Sequence, residues 1–274
     1  MEKWKLIQRH ASYLWRAQTK YQVHSPFVFE FMEEVLDDKR HYYAFDELEV
    51  LRTTLKKNKS PLKKQDFGAG SLITNTKNTT IAEIAKYNQS HPRVGQMLFR
   101  LINWQKPKHL VELGTAFGVT TLYQALASLN GKMTTIEGCE ATAKVAQASF
   151  DVVNAKNIDL IVGQFDEVLA DVLEKLPRLD YVFIDGNHRK EPTLKYFEMC
   201  LPYINNDSIF VFDDVRWSSG MNEAWQTIKA HSKVKLTLEV FDVGIVFFRA
   251  EQKEKEHFEL LPSKIKPLNS LLLK

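Results

Sequence analysis

The sequence predicts an α/β protein: a doubly wound, mainly parallel sheet of seven strands that ends in an antiparallel hairpin, preceded by a helical N-terminal extension. Three observations carry this reading. From Leu110 onward short apolar runs alternate with segments of helical period, the pattern of successive βα units. The first run passes directly into a turn bracketed by Gly114 and Gly118, ahead of a helical stretch. The last two runs, 234–241 and 244–248, are separated by only Asp242-Val243, and a parallel crossover needs a dozen residues or more.

Size and composition agree with one large domain plus an added segment. The 274 residues are 44% hydrophobic and 26% charged, ordinary for a globular enzyme able to bury a sizeable core. A formal net charge of +3 gives no reason to expect nucleic acid or an anionic membrane as partner. Cys139 and Cys200 cannot make a disulfide framework, and Met1-Glu-Lys-Trp-Lys5 lacks the apolar core of a signal peptide, so a cytoplasmic setting is expected. No apolar run reaches the ~18 residues of a membrane span.

The extension, residues 1–105, reads as helices. Trp4, Ile7, Ala11, Leu14 and Trp15 recur at helical spacing and form an apolar stripe expected to dock on the rest of the chain. Ser25-Pro26 opens a second helix that ends near Leu36. Asp46 with Glu49 looks like a capping box for a third, carrying Leu48, Leu51 and Leu55. The lysines from Lys56 to Lys64 flank Ser60-Pro61 and read as an exposed basic loop. Asp66-Phe-Gly68-Ala-Gly70-Ser71 has the glycines of a cofactor loop but no strand-like run before it, so it reads as a lid or turn. Thr80 with Glu83, then His91-Pro92, begin two more helices.

The sheet domain, residues 106–250, follows as strand 109–113, helix 119–129, strand 132–136, helix 141–153, strand 158–162, helix 166–176, strand 181–184, helix 192–201, strand 208–212 and helix 221–231, before the hairpin. Residues 251–274 read as a tail or a strap.

Function is sought first at the glycine turn. A strand, a glycine loop and a helix start aim backbone N–H groups and the positive end of a helix at a ligand that can approach the main chain closely. The spacing Gly114-x-x-x-Gly118 departs from Gly-x-Gly-x-x-Gly, which argues against a nicotinamide dinucleotide. The segment Glu112-Leu-Gly114-Thr115-Ala-Phe-Gly118-Val-Thr-Thr121 instead resembles the cofactor loop of class I S-adenosylmethionine (SAM) methyltransferases, in particular the catechol O-methyltransferase-like and macrolide or sugar O-methyltransferase branch. The terminal hairpin is also what the class I methyltransferase fold looks like.

The residues and the resemblance together select a candidate site. Glu137 ends the second strand about 20 residues beyond the loop, where a carboxylate can accept the hydroxyls of a ribose, and the resembling family has an acid there. Glu112, Gly114, Thr115 and Gly118 complete the expected cofactor contacts around the loop. Gly163-Gln164 stands where related enzymes hold adenine, with Gln164 in place of an acid and still able to donate and accept. Asp185, Asp213 and Asp214 sit at C-terminal strand ends, where ligands of open α/β sheets bind. Their hard oxygen ligands suit Mg²⁺, and the resemblance implies the same triplet. Such an ion would orient a hydroxyl acceptor and lower its pKa. Asp185 is also counted with the cofactor and catalytic residues, and His188, three residues on, takes the place of the catechol enzymes' lysine as base.

The expected activity is SAM-dependent O-methylation of a small-molecule hydroxyl, with Mg²⁺ assisting. One alternative is an RNA or protein methyltransferase gripping phosphates with the Lys56–Lys64 loop. Another is a SAM-binding module without turnover. Nucleic acid is disfavoured because Asp-Gly-Asn-His188 replaces the Asp-Pro-Pro-Tyr type of segment used around a flipped base. A homodimer is an open expectation, and a membrane partner is not expected.

Overall fold

Residues 2–62, 79–87 and 90–265 are described by the computed structural model, and the chain divides into two units, Met1–Lys39 with His188–Lys274, and Arg40–Asn187. The boundaries expected at 105 and 250 fall inside these units. The Asp66–Ser71 segment, with Lys63 and Lys64, lies outside the described residues.

The first unit starts with α1 (Glu2–Arg16), whose apolar stripe docks only through Leu14, while Trp4, Ile7 and Trp15 are 65%, 58% and 49% exposed. Tyr13 and Ala17 anchor it instead, packing with Leu261. Helix α2 (Pro26–Phe31) starts on Pro26 as expected and continues as a π-helix to Leu36.

In the second unit, α3 (Tyr43–Lys57) begins before the expected capping box. Asp46 pairs with His41 at 2.8 Å, while Phe45 packs edge-on against Phe99 and is buried in the same cluster as Leu48, Leu51 and Leu55. Burial of that aromatic ring outweighs the local cap. Strands β1 (Pro61–Leu62) and β2 (Thr79–Thr80) pair antiparallel. Helix α4 (Ile81–Tyr87) has the expected reciprocal Thr80 and Glu83 bonds, and α5 (Pro92–Gln105) starts with His91 accepting from the Arg93 N–H.

Next come β3 (His109–Leu113), α6 (Val119–Ala127), β4 (Lys132–Glu137), α7 (Glu140–Val153), β5 (Ile158–Val162), α8 (Phe165–Glu174) and β6 (Leu179–Ile184). All four strands are parallel, in the order β6-β3-β4-β5. The chain runs outward from β3 through β4 to β5, then returns to the far side of β3. The loops after β3 and β6 therefore diverge from neighbouring strand ends, the switch point at which open α/β sheets bind ligands. Leu113 lies level with Ile136 and Ile184, so those loops leave from one edge.

The first unit resumes with α9 (Lys190–Cys200), β7 (Ile204–Phe212), α10 (Ser219–Ala230), β8 (Leu236–Val240) and β9 (Val243–Phe247). The expected hairpin is present: β8 and β9 pair antiparallel across Phe241-Asp242, and β9 pairs antiparallel with β7. The stretch expected as a tail contributes β10 (Glu256–Leu260), which runs parallel to β8 at the edge and adds a strand to the expected seven. Its sequence, Glu-His-Phe-Glu-Leu, hides this because the carboxylate of Glu259 needs partners from elsewhere, supplied by Arg16 and Arg216. The result is the mixed, mostly parallel α/β arrangement expected. Among the described residues, no helix is long and apolar enough to cross a membrane.

Candidate active site

The loop after β3 is shaped by backbone that side chains resist. Gly114, Ala116 and Gly118 have φ of 108°, 47° and 78°, and a Cβ on Gly114 would lie 2.2 Å from the Asp185 carbonyl oxygen. Glycine there lets the loop after β3 lie against the loop after β6. The Asp185 N–H donates to the Leu113 carbonyl at 2.9 Å, so the backbones of the two strand ends are joined where the cofactor was expected.

Glu137 is fixed over this turn. One carboxylate oxygen accepts from the Ala116 N–H and the other from the Cys139 N–H, both at 2.9 Å. These two bonds orient the side chain before any ligand arrives. Thr115, buried, shares a 2.6 Å hydrogen bond with Thr135 and holds the loop onto β4. Gly163 donates to the Glu137 carbonyl at 3.0 Å, and Gln164 begins α8. Gly114, Thr115, Gly118, Glu137, Gly163, Gln164 and Asp185 thus all belong to one unit and to neighbouring strand ends.

Glu112 departs from expectation. It is fully buried, and its carboxylate accepts from Thr121, from Thr135 at 2.6 Å and from Gln124 at 2.5 Å. Burial pushes its carboxyl up to about 7 against the lowering effect of those three bonds. It therefore ties β3 to α6 and β4 behind the loop. Both faces of this central parallel strand are covered, so neither offers Glu112 a path to solvent. Thr121, Thr135 and Gln124, which complete this brace, are ordinary polar positions that carry no motif.

In the other unit, Asp213 and Asp214 follow β7, and Asp214 has a left-handed φ of 56°. His188 Nδ1 lies 3.9 Å from Asp214 Oδ2, with the two side chains 27% and 36% exposed. Burial lowers the His188 pKa although Asp214 opposes it, and burial raises that of Asp214 although His188 opposes that. Both shifts disfavour the charged form of the group concerned. Phe117 is core, and Trp217 is half exposed. Among the described residues, the carboxylates and histidine that gather within 4.8 Å of one another are Glu239, His257 and Glu259 of the same unit, away from the expected triplet in sequence.

Residues 111–215 match the family described as a methyltransferase domain. Among curated proteins, a catechol O-methyltransferase of Niastella koreensis is 29% identical over 127 residues, 45% of this chain and 57% of that one. An uncharacterized protein of Acanthamoeba polyphaga mimivirus is 32% identical over 100 residues, 35% of this chain and 45% of that one. The chain thus spans about half the length of the curated relatives it matches. Solved structures of similar fold include an O-methyltransferase from Bacillus cereus in complex with S-adenosylhomocysteine (SAH), with TM-score 0.54, 18% identity and coverage of 81% of this chain and 97% of that one. TomG, an O-methyltransferase of Streptomyces achromogenes in complex with SAM, gives 0.55, 14%, 81% and 95%. The chain has the class I methyltransferase fold, and the residues that match the methyltransferase-domain family lie at its centre.

Proposed function

We propose that this protein is a SAM-dependent methyltransferase that modifies a hydroxyl oxygen of a small molecule. The observation that carries the reading is the Glu137 carboxylate, held by two backbone N–H groups over a left-handed glycine loop at the switch point of a parallel sheet. A loop stripped of side chains at Gly114 and Gly118 admits a nucleoside against the main chain, and the fixed carboxylate accepts its ribose hydroxyls. Gln164 and the Gly163 backbone would meet the adenine edge. Glu112 acts as the internal brace of the loop. Bound there, SAM supplies a methyl group on a positively charged sulfur.

His188 is the proposed base: neutral because it is buried, it takes the acceptor's hydroxyl proton as the oxygen attacks. Asp185, Asp213 and Asp214 would hold Mg²⁺, which would orient the acceptor oxygen and lower its pKa. The burial-raised pKa of Asp214 favours this, since a cation relieves a carboxylate in that state. Support for the hydroxyl acceptor comes from the catechol O-methyltransferase relative and the O-methyltransferase neighbours. Buried Cys139 and Cys200, both free thiols, fit a cytoplasmic setting.

The test is calorimetry and thermal shift with SAH, with and without Mg²⁺, on the wild type and on Asp213→Ala. The proposal expects SAH binding in both, and a Mg²⁺ effect that the substitution abolishes. A Mg²⁺ effect that survives it removes the metal site; absence of SAH binding removes the function.

A further inference from the structure

The unit formed by residues 1–39 and 188–274 contains a groove of about 570 Å³ along α1 and α10, floored by β8 and β10. Helix α1 turns its charged side to this groove through Lys5, Gln8, Arg9, Ser12 and Arg16, while Trp4, Ile7 and Trp15 stay exposed. An amphipathic helix that leaves tryptophan in water and directs cations into a cleft needs a reason on the cleft side.

The lining carries five cationic side chains, Lys5, Arg9, Arg16, Arg216 and Lys229, against two carboxylates, Glu239 and Glu259. Both carboxylates are buried and heavily bonded. Glu259 takes both nitrogens of a fork from Arg16 at 2.7 Å and a further bond from Arg216 at 3.3 Å. Glu239 accepts from Arg216, from Trp225 at 2.6 Å and from Lys229 at 2.9 Å. This explains why Glu239, His257 and Glu259 do not make a metal site: guanidinium and ammonium groups already stand where an ion would. His257 does not alter the balance, because burial pushes it down to about 4 and it is neutral at pH 7. Five cationic side chains and two carboxylates thus line a cleft large enough for a small molecule.

We propose that this groove is a second ligand site, specific for a small molecule bearing a phosphoryl group, held by Lys5, Arg9 and Lys229 together with the carboxamides of Gln8, Asn222 and Gln226. The donor count selects the ligand. A carboxylate offers two oxygens, whereas a phosphoryl group offers three, which suits six donor side chains on two facing helices. Arg9 also bonds Ser219 at 3.3 Å and the Trp217 carbonyl at 3.5 Å, at the start of α10. Occupancy of the groove would therefore be felt at the turn that follows Asp214. Burial holds Lys229 down to about 8, and a bound dianion would favour its charged form.

The experiment is isothermal titration of the full chain with a phosphomonoester such as glycerol 3-phosphate, with inorganic phosphate and with succinate, on the wild type and on the Lys5→Gln/Arg9→Gln double variant. Saturable binding of the phosphomonoester, weakened at least about tenfold in the double variant, supports the site. Stronger binding of the ester than of inorganic phosphate marks an organic ligand; the reverse marks free phosphate. Binding of succinate alone overturns the phosphoryl specificity, and no saturable heat up to about 10 mM of either phosphate, or equal binding by the double variant, overturns the site. SAH titrated into the same samples reports the methyltransferase reading separately, since neither substituted residue belongs to the glycine loop. Asn222→Ala/Gln226→Ala, on α10, serves as a second variant with the same expected weakening should α1 not tolerate its changes.

Discussion

At the scale of single residues, Gly114 and the two glutamates around it divide the work. Gly114→Ala places a methyl 2.2 Å from the Asp185 carbonyl oxygen on a backbone at φ 108°. A loss of about 1–3 kcal/mol in urea-measured stability is expected, together with loss of SAH binding. Glu137→Gln keeps the shape but replaces a charged acceptor, and should weaken SAH about ten- to a hundredfold by calorimetry. Glu112 behaves differently because it is buried. Its folded pKa of about 7 lies above the unfolded value, so its contribution is greatest below pH 4.5 and is lost as pH rises through about 7. Glu112→Gln should remove that slope from a stability profile between pH 5 and 8, a difference on the order of 3 kcal/mol at the alkaline end. If the profile keeps its slope, Glu112 is not the titrating group. The places of Glu137, the glycines and Asp185 at neighbouring strand ends were legible from register along the chain. The burial of Glu112 was not, because a carboxylate two residues before a glycine reads the same whether it faces solvent or core.

At the scale of elements, those with a strong local signal formed where expected: β3, β4, β5 and the β8–β9 hairpin. Starts and edges shifted where tertiary contacts outweighed local preference. Helix α3 begins at Tyr43 to bury Phe45 against Phe99, whatever Asp46 and Glu49 could cap. Strand β10 exists because Arg16 and Arg216 neutralise Glu259, and because Tyr13 reaches the neighbouring backbone. The Tyr13 hydroxyl donates to the Leu260 carbonyl at 2.5 Å and accepts from the Phe241 N–H at 2.8 Å. Tyr13→Phe removes both bonds without removing the ring, and a loss of about 1–3 kcal/mol is expected in denaturant unfolding. An unchanged midpoint would show that Tyr13 holds this corner by packing alone.

At the scale of the whole molecule, the fold and the glycine spacing make one decision between cofactors. At about a hundred times its dissociation constant, SAH should raise stability by roughly 2.7 kcal/mol in thermal unfolding, whereas NAD should not. The reverse result would return the chain to the dehydrogenases. The periodicity of apolar residues and the glycine loop were enough to establish the α/β class, the order of the strands from β3 to β9 and the place of the glycine turn, because each depends on residues close together along the chain. The course of the last strand, the inward turn of the charged face of α1 and the five-to-two charge balance of its groove were decided only in three dimensions. A charged side chain joins a core when partners distant in sequence compensate its desolvation, and no local pattern records where those partners will be.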